Sequence, residues 1–425
     1  MKLTLEKPVY GGDCLARRDN TGKAVFVPLT LPGEIVTASV TEEKRSFIKA
    51  EVDEILASSP ERIPPRCPYF GVCGGCHYQH ANYPAQLALK EQILRETLAR
   101  SGVAVPDEIA ILSAEPWQYR NRIRVPFTPD QRFGYRSRRS HAIVSIDECP
   151  IAAPVLLRTS LQIAQFFREN PAAALISELE LFTNPDESAL LITLFCESQP
   201  ASDPQPWLSA LHAALPHEAT GLRLQLDDGS LNPAILAATG QASINYTASG
   251  FPYRVDHGAF FQVNRWLIDR FVRLIVDNHS SKVAWDLFAG VGLFARQLAT
   301  SDAEVIAVES SPASRAALRH NLQGTGARAV TSTTLDYLRR NRQEREGRPD
   351  FIVLDPPRTG LGDETTTLLN AIHTPSMVYV SCDPATLARD LRALTQERYA
   401  IEKVTLVDMF PQTFHLETVV HLRRS

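Results

Sequence analysis

Hydrophobic and polar residues follow one pattern near the N-terminus and a different one in the C-terminal part of the chain. Residues 1–58 contain short runs in which every second residue is apolar, broken by turn residues such as Pro32 and Gly33. Alternation with a period of two is typical of half-buried strands. This segment predicts a small β-barrel of the oligonucleotide-binding type, and any other small β module fits the pattern equally well.

After about residue 256 the apolar runs become continuous and alternate with helical segments. Four of them end in polar, glycine or proline residues: KVAWDLFAG, AEVIAVES, DFIVLDPPR and SMVYVSCDP. Such runs indicate parallel strands that are buried on both faces. Residues 256–425 therefore predict an α/β domain with a Rossmann-like sheet, whose ligands lie at the carboxyl ends of the strands.

Residues 59–255 separate these two parts and mix helical with strand-like patterns. Three prolines in SSPERIPPRC mark the boundary before Cys67, and helical periodicity runs from about residue 82 to residue 100. Strand-like runs such as ESALLITLFCES follow, separated by connectors rich in proline and alanine. We predict a mixed central domain.

Composition narrows the class of protein. The formal net charge of -4 does not by itself indicate a nucleic-acid-binding protein, so only a local cluster of basic residues could do so. The chain has no signal-peptide pattern and no apolar run of transmembrane length, and we expect a cytoplasmic protein without a membrane partner. The seven cysteines are an odd number, which favours metal-binding or catalytic use over a disulfide framework.

A glycine-containing turn predicts the cofactor site. Gly290 and Gly292 follow Asp286 at the end of a predicted strand, and Glu309 ends the next strand 23 residues after Asp286. The pattern G-x-G-x-x-A also fits a nicotinamide dinucleotide. The motifs on later strands, with Asp355 and Cys382, suit S-adenosylmethionine better than a hydride carrier.

Four cysteines outside this domain have the spacing of metal ligands. Cys67, Cys73 and Cys76 form a C-x5-C-x2-C set, and Cys149 follows 73 residues after Cys76. Three close thiolates and a distant fourth indicate an iron–sulfur site. A four-cysteine zinc site is the alternative, which the spacing favours less because such sites prefer two C-x2-4-C pairs.

A basic strip lies between Trp117 and His141, where seven arginines accompany one acidic residue. Phe127, Phe133 and Tyr135 are interleaved with the arginines. Arginines can bind phosphates while aromatic rings stack on unpaired bases, so the arginine strip, residues 117–141, predicts an RNA contact. A solvated basic face is the ordinary alternative.

Several motifs together resemble those of the RNA 5-methyluridine methyltransferases that act on ribosomal and transfer RNA. They are DLFAGVGLF, VESSPASRAALRHN, LDPPRTG, VSCDPATLARDL and DMFPQTFHLETV, with FFQVN and the N-terminal cysteines upstream. The resemblance implies an S-adenosylmethionine domain, a TRAM-type barrel at residues 1–58 and a central domain with a [4Fe–4S] cluster. It also implies cofactor contacts by Gln262, Phe288, Glu309 and Asp355. Asp336, which we expect to close a third strand, is a weaker candidate.

Two positions depart from the family pattern. Family members commonly have asparagine where this chain has Asp383, and often cysteine where it has Ala289. A carboxylate at position 383 lies next to Cys382, so we expect it to raise the pKa of that thiol.

Cys382 satisfies a chemical requirement of this reaction. Carbon 5 of uracil is a poor nucleophile, and addition of a thiolate to carbon 6 makes carbon 5 reactive towards the methylsulfonium. The proton on carbon 5 must then be removed by a general base, for which the resemblance favours Glu417. A buried structural cysteine and a solvated strand glutamate are the ordinary alternatives. The target uridine must be flipped out of its stack.

These expectations define the partner. We expect a specific uridine of 23S ribosomal RNA as the substrate and no obligatory protein partner. The T-loop uridine of transfer RNA is the alternative substrate, and an RNA-binding or folding factor without turnover is the alternative class.

Overall fold

The computed structural model describes residues 1–18, 21–128, 130–170, 175–230, 232–277, 281–299, 304–341 and 347–425. Its first five strands form a closed barrel in the order β1-β2-β3-β5-β4. They are β1 (Lys2–Pro8), β2 (Asp13–Arg17), β3 (Ala24–Pro28), β4 (Ile35–Glu43) and β5 (Phe47–Ala57). Alternate residues such as Leu3, Leu5, Val25 and Val27 fill the barrel, which confirms the predicted barrel.

The central part of the chain contains a second sheet, in the order β13-β12-β11-β10-β7, against which helices α2 and α3 pack. The helices and strands of this part of the chain, within and outside that sheet, are α1 (Tyr83–Arg100), β6 (Ala110–Leu112), β7 (Arg122–Pro126), β8 (Gly134–Arg136), β9 (Ile143–Ser145), α2 (Pro154–Glu169), β10 (Ile176–Thr183), β11 (Leu190–Cys196), α3 (Gln205–Ala214), β12 (Ala219–Leu226), β13 (Ile235–Gly240), β14 (Ser243–Ala248) and β15 (Phe251–Asp256). Strands β8 and β9 form a small hairpin at the C-terminal end of the arginine strip, with β8 inside the strip and β9 just after it.

The C-terminal part forms an eight-stranded sheet in the order β18-β17-β16-β19-β20-β22-β21-β6. Its elements are α4 (Ile268–Val276), β16 (Val283–Asp286), α5 (Leu293–Leu298), β17 (Glu304–Glu309), α6 (Pro312–Asn321), β18 (Ala327–Thr331), α7 (Thr334–Asn341), β19 (Phe351–Leu354), α8 (Asp363–Ile372), β20 (Ser376–Ser381), α9 (Pro384–Thr395), β21 (Tyr399–Val407) and β22 (Glu417–Arg424). The four apolar runs of the sequence correspond to β16, β17, β19 and β20.

Both faces of this sheet are buried. In β20, Val378 and Val380 pack into the core on one face, while Met377 and Tyr379 pack into the core on the other. This arrangement explains why the strand is apolar without alternation. The edge strand β6 pairs with β21 and comes from the segment that was predicted as the central domain. In the described residues, no helix is both long and apolar enough to span a membrane.

Strand β22 runs antiparallel to β20 and β21, unlike the other core strands. Its first residue, Glu417, therefore lies at the edge where the parallel strands end. Ser381 pairs with Thr418, and Cys382 follows Ser381 while Glu417 precedes Thr418. The sheet register thus places Cys382 and Glu417 side by side at the carboxyl edge.

Candidate active site

The turn between β16 and α5 is built to approach a ligand. Gly290 and Gly292 have φ angles of 55° and 91°, which favour glycine. A Cβ atom on Gly292 would lie 2.9 Å from Leu318 Cδ1, so the close packing of α5 also requires glycine there. The buried Asp286 fixes this turn, because its Oδ2 accepts a 3.0 Å hydrogen bond from the Ala295 N–H.

Glu309 lies beside the same turn at the end of β17. Its Oε2 accepts a 2.7 Å hydrogen bond from the Gly290 N–H, and its Oε1 accepts a 2.5 Å bond from the Ser311 N–H. These bonds orient the carboxylate at the carboxyl edge of the sheet. A carboxylate at this position can bind the hydroxyls of a ribose.

Three other predicted cofactor residues lie at this edge. The Gln262 side chain is buried, and its Nε2 donates a 3.3 Å hydrogen bond to Asp355 Oδ2, just after β19. Phe288 is half-buried, follows β16 and packs against the hydrophobic core that contains Trp285. The structure therefore brings Gln262, Phe288, Glu309 and Asp355 to one side of the sheet.

Asp336 is placed differently from the sequence prediction. It was expected to close a strand, but β18 ends at Thr331 and Asp336 lies in the first turn of α7. The Thr333 hydroxyl donates to Asp336 Oδ2 at 2.8 Å, and the Asp336 N–H donates to Thr333 Oγ1 at 3.1 Å. These reciprocal bonds cap a helix N-terminus. The strand-end placement is wrong because the Thr-x-x-Asp pattern starts a helix.

Two buried carboxylates at this edge of the sheet, Asp286 and Asp355, have raised pKa values. Burial, with the charges of Asp355 and Glu309, raises the pKa of Asp286 to about 7. Burial also raises the pKa of Asp355 to about 7. A bound cation favours the ionised form of such carboxylates. The sulfonium of S-adenosylmethionine carries a positive charge of this kind.

Cys382 follows β20 and is half-buried beside Glu417. Burial, followed by the carboxylates of Glu417 and Asp355, raises the pKa of the thiol to about 11, while the nearby Arg358 opposes that rise. Burial and Asp355 also raise the pKa of Glu417 well above its ordinary value. Both groups therefore hold protons more tightly than they would in water.

Asp383 serves as the N-cap of α9. Its Oδ1 accepts hydrogen bonds from the Ala385 and Thr386 N–H groups at 3.0 and 2.9 Å. Asparagine is an equally good N-cap, so this bonding explains how either residue fits the position. After burial, the groups that most raise the thiol pKa are Glu417 and Asp355 rather than the adjacent Asp383.

Residues 408–416, here called the base loop, connect β21 to Glu417. Gln412 at its centre is buried and has a φ of 68°, a strained conformation for a residue other than glycine. Its carbonyl accepts hydrogen bonds from the His77 and Tyr78 N–H groups at 2.8 and 3.0 Å, and its side chain accepts a 3.0 Å bond from Gln86. The loop that leads to Glu417 is therefore held by the central part of the chain.

Three residues near the site were missed by sequence reasoning. Arg358 follows the Asp355-Pro-Pro turn and is the cation whose charge acts on both Cys382 and Glu417. Phe260 is 62% exposed and lies two residues before Gln262. Tyr10 reaches from the barrel to Phe414 of the base loop, with ring centroids 5.3 Å apart. Arg358 belongs to the motif LDPPR, so its place near the site could have been predicted from the sequence. The place of Tyr10 near the site depends on tertiary contacts.

The four upstream cysteines line a single cavity of about 250 Å³. Phe414 and His415 of the base loop and Arg120 also line it. Among the described residues, no group of three or more His, Cys, Asp or Glu side chains has the arrangement of a metal-ion site. The structure thus gathers Cys67, Cys73, Cys76 and Cys149, while the predicted cluster itself stays a prediction.

The arginine strip differs from the sequence prediction in its aromatic residues. Phe133 and Phe127 are 2% and 8% exposed and lie in the core of the central sheet. The prediction that they stack on RNA bases is wrong, because their rings face inwards from the strip. Tyr135 is half-buried and lines the cysteine cavity.

The arginines of the strip make ion pairs with other parts of the protein. Arg139 contacts Asp13 and Glu51 of the barrel at 3.0 Å, and Arg138 contacts Glu51 at 2.7 Å. These residues border a groove of about 710 Å³ between the barrel and the central part of the chain. Arg132 and Arg136 have the more exposed side chains, at 62% and 56%.

Comparisons with known proteins agree with this geometry. A family model described as tRNA (Uracil-5-)-methyltransferase matches residues 345–425, and a TRAM domain model matches residues 1–52. The chain is 33% identical over 443 residues to the 23S rRNA (uracil(1939)-C(5))-methyltransferase of Halomonas elongata, covering 99% of this chain and 89% of that protein. For the protein of the same name in Klebsiella pneumoniae the identity is 33% over 420 residues, with coverages of 95% and 91%.

A solved structure shows a similar fold over the whole chain. The tRNA (uracil-54, C5)-methyltransferase of Pyrococcus abyssi, in complex with S-adenosyl-L-homocysteine, has a TM-score of 0.78 at 23% identity. The similarity covers 99% of this chain and 100% of that chain.

Proposed function

The chain belongs to the RNA (uracil-5-)methyltransferases, which depend on S-adenosylmethionine, and we propose that it methylates a specific uridine of 23S ribosomal RNA. In this proposal, the reaction proceeds through a covalent adduct between the Cys382 sulfur and carbon 6 of uracil. The observation that carries the proposal is the register of β20 and β22, which places Cys382 beside Glu417.

Cys382 is the proposed nucleophile. Its thiolate adds to carbon 6, and the electron pair of the carbon 5–carbon 6 double bond moves towards the carbonyl oxygen at carbon 4. Carbon 5 of this enolate then attacks the methyl group of the sulfonium, which leaves S-adenosylhomocysteine. Because the free thiol has a pKa of about 11, binding of the cationic cofactor must help it to ionise.

Glu417 is the proposed general base. After methyl transfer it takes the proton from carbon 5, and the electron pair of that carbon–hydrogen bond re-forms the double bond and expels the thiolate. A carboxylate with a raised pKa is a stronger base than one in water, so the burial of Glu417 suits this step. Arg358 can stabilise the carboxylate before it accepts the proton.

The proposed cofactor contacts are Gln262, Phe288, Glu309 and Asp355, with Asp336 as the weaker candidate. The hydrogen bonds of Glu309 and the Gln262–Asp355 pair support three of these roles. Asp336 is bonded to Thr333 and lies 3.4 Å from Arg339, so it would have to exchange these contacts to bind the cofactor.

The proposed RNA surface consists of the groove between the barrel and the arginine strip, which Arg136 lines, and of the exposed Arg132 outside that groove. Exposed ion pairs contribute little to stability, so phosphates can replace the carboxylate partners of Arg132 and Arg136 at small cost. Phe260 can stack on an unpaired base, because its ring is exposed and it lies two residues before Gln262 in the chain. The target uridine must leave its own stack to reach Cys382.

We further propose that Cys67, Cys73, Cys76 and Cys149 hold a [4Fe–4S] cluster. The shared cavity supports this, as does Arg120, whose buried Nε has no hydrogen-bond partner within the described chain. An arginine there would offset the negative charge of a cluster with four thiolates. Each thiolate binds a different iron atom of such a cluster, so the four sulfurs need not converge on one point. A bound cluster would link residues 67–76 to Cys149 and would lie in a cavity that Tyr135 of the strip and Phe414 of the base loop also line.

The substrate assignment rests on the relatives named for 23S rRNA, whose identity exceeds 30% over nearly the whole chain. The same reaction on the T-loop uridine of transfer RNA is the second candidate, which the Pyrococcus abyssi fold supports at the level of architecture alone. An RNA-folding factor without turnover is a further alternative, in which Cys382 and Glu417 would be dispensable.

The experiment is to map 5-methyluridine in ribosomal and transfer RNA from cells that lack this protein. We expect one 5-methyluridine to be lost from 23S rRNA and restored by the wild-type gene but not by a Cys382→Ala variant. Loss of the modification from transfer RNA instead would support the second candidate, and rescue by Cys382→Ala would support the folding factor.

A further inference from the structure

The base loop leaves the sheet at one point and returns to it at the same point. Val407, the last residue of β21, pairs with Glu417, the first residue of β22. The Asp408 N–H bonds to the Leu112 carbonyl at 2.8 Å, which fixes the start of the loop to β6. Any shift of Asp408 or of the adjacent turn is therefore transmitted to Glu417.

Helix α1 places a lysine against this junction. Lys90 Nζ lies 2.6 Å from Asp408 Oδ1, and neither side chain has any exposed surface. Lys90 also donates a 3.0 Å hydrogen bond to the Phe410 carbonyl. The other carboxylate oxygen of Asp408 accepts a 2.8 Å bond from the Tyr83 hydroxyl. Both charges are thus satisfied entirely by contacts that α1 and the loop make with each other.

Burying an ion pair is a poor way to gain stability, because each charge loses its hydration. Such a pair does enforce one arrangement, since any displacement of the loop would leave two charges buried without partners. The loop it fixes contains the strained Gln412 and ends at the proposed base. The position of this pair suits a role in fixing the conformation of the base loop better than a role in stability.

We propose that Lys90 is a positioning residue for Glu417: through Asp408 and Phe410 it holds the base loop so that the carboxylate meets carbon 5 of the methylated adduct. The inference rests on the proposed function, in which Glu417 resolves the adduct. Attack by Cys382 and methyl transfer do not require proton removal by Glu417, so loss of Lys90 should not slow them.

The test uses the full chain with target RNA and S-adenosylmethionine. The Lys90→Met/Asp408→Asn double variant removes both charges, so no charge is left buried, and it retains a polar group for Tyr83. Ordinary uridine RNA reports release of the product, because unresolved enzyme stays attached through denaturing electrophoresis. RNA with 5-fluorouridine reports adduct formation and methyl transfer alone.

We expect the double variant to trap 5-fluorouridine RNA at least as fast as the wild-type protein but to release methylated uridine RNA about 10- to 100-fold more slowly. The Lys90→Met single variant, which leaves Asp408 unpaired, should show the same defect with a lower melting temperature. The matched control is Glu34→Gln/Arg62→Met, which removes the ion pair between the buried Glu34 of the barrel and the partly exposed Arg62 that follows the barrel. It should lower the melting temperature without accumulating adduct.

The Glu417→Gln variant distinguishes failure of the proposed function from failure of the role proposed for Lys90. If Glu417→Gln does not accumulate methylated adduct on uridine RNA, the proposed function itself fails. If Glu417→Gln accumulates adduct and the Lys90/Asp408 double variant does not, Lys90 is not a positioning residue. An equal loss of trapping and release, or an unfolded double variant, would overturn the inference in favour of a purely structural role.

Discussion

Replacement of Glu417 by glutamine should make Cys382 easier to ionise. The pKa of this thiol is raised to about 11, first by burial and then by the carboxylates of Glu417 and Asp355. The charge of the Glu417 carboxylate is the largest contribution after burial, and it disfavours the thiolate. Removing that charge while keeping the shape of the side chain should therefore lower the pKa of the thiol.

The magnitude follows from Coulomb's law. A unit charge about 6–10 Å away contributes about 1.7–2.8 kcal/mol at an effective dielectric constant of about 20, which is about 1–2 pH units. In the wild-type protein, a pKa of about 11 leaves roughly one thiol in ten thousand ionised at neutral pH, against about 3% for an ordinary cysteine. The greater nucleophilicity of a basic thiolate recovers about tenfold, so alkylation should be roughly 20- to 30-fold slower than in a model peptide.

The assay is alkylation of Cys382 by iodoacetamide as a function of pH, with the peptide that contains Cys382 quantified by mass spectrometry. The wild-type rate should rise about tenfold per pH unit without levelling below about pH 10, and the Glu417→Gln profile should move to lower pH by about 1–2 units. Glu309→Gln is the matched control, because its carboxylate is bonded to Gly290 and Ser311. A wild-type midpoint near that of free cysteine, or identical profiles for the two proteins, would refute the reasoning.

Three further predictions concern the cofactor, the RNA and the cluster. Because the pKa of Asp355 is about 7 in the free protein, calorimetry should show S-adenosylmethionine binding weaken below that pH, and an Asp355→Asn variant should lose this dependence. Replacing Arg132 and Arg136 should flatten the salt dependence of RNA affinity by up to ~0.7–0.9 log unit per lost phosphate contact, with an unchanged slope indicating a merely solvated face. Anaerobic purification should yield about four iron atoms per chain, most of them lost in Cys149→Ser, whereas stoichiometric zinc would exclude the cluster.

Local patterns in the sequence were sufficient for the strands that carry the cofactor site. The apolar runs before Asp286, Glu309, Asp355 and Cys382 end where the strands end, because buried parallel strands need continuous apolar residues. Polar residues after such strands must meet at one edge. The grouping of these residues at one edge of the sheet was therefore predictable without knowledge of tertiary contacts.

The features that the sequence did not predict depend on contacts between residues that are distant in the chain. Lys90 and Asp408 are 318 residues apart in the chain, and nothing in the local pattern around either of them indicates the pair. The aromatic residues of the arginine strip face a core that composition alone could not locate. Asp336 was an error of interpretation, since the Thr-x-x-Asp pattern was present in the sequence and marks a helix start.

The most direct test of the account is covalent trapping of the protein by target RNA that carries 5-fluorouridine. With S-adenosylmethionine present, wild-type protein should form an adduct that survives denaturation, because fluorine cannot leave carbon 5 as a proton does. Digestion of the adduct should place the methylated nucleotide on the peptide that contains Cys382. Trapping of Cys382→Ala to the same extent, or an adduct on another residue, would contradict the central claim that Cys382 is the nucleophile.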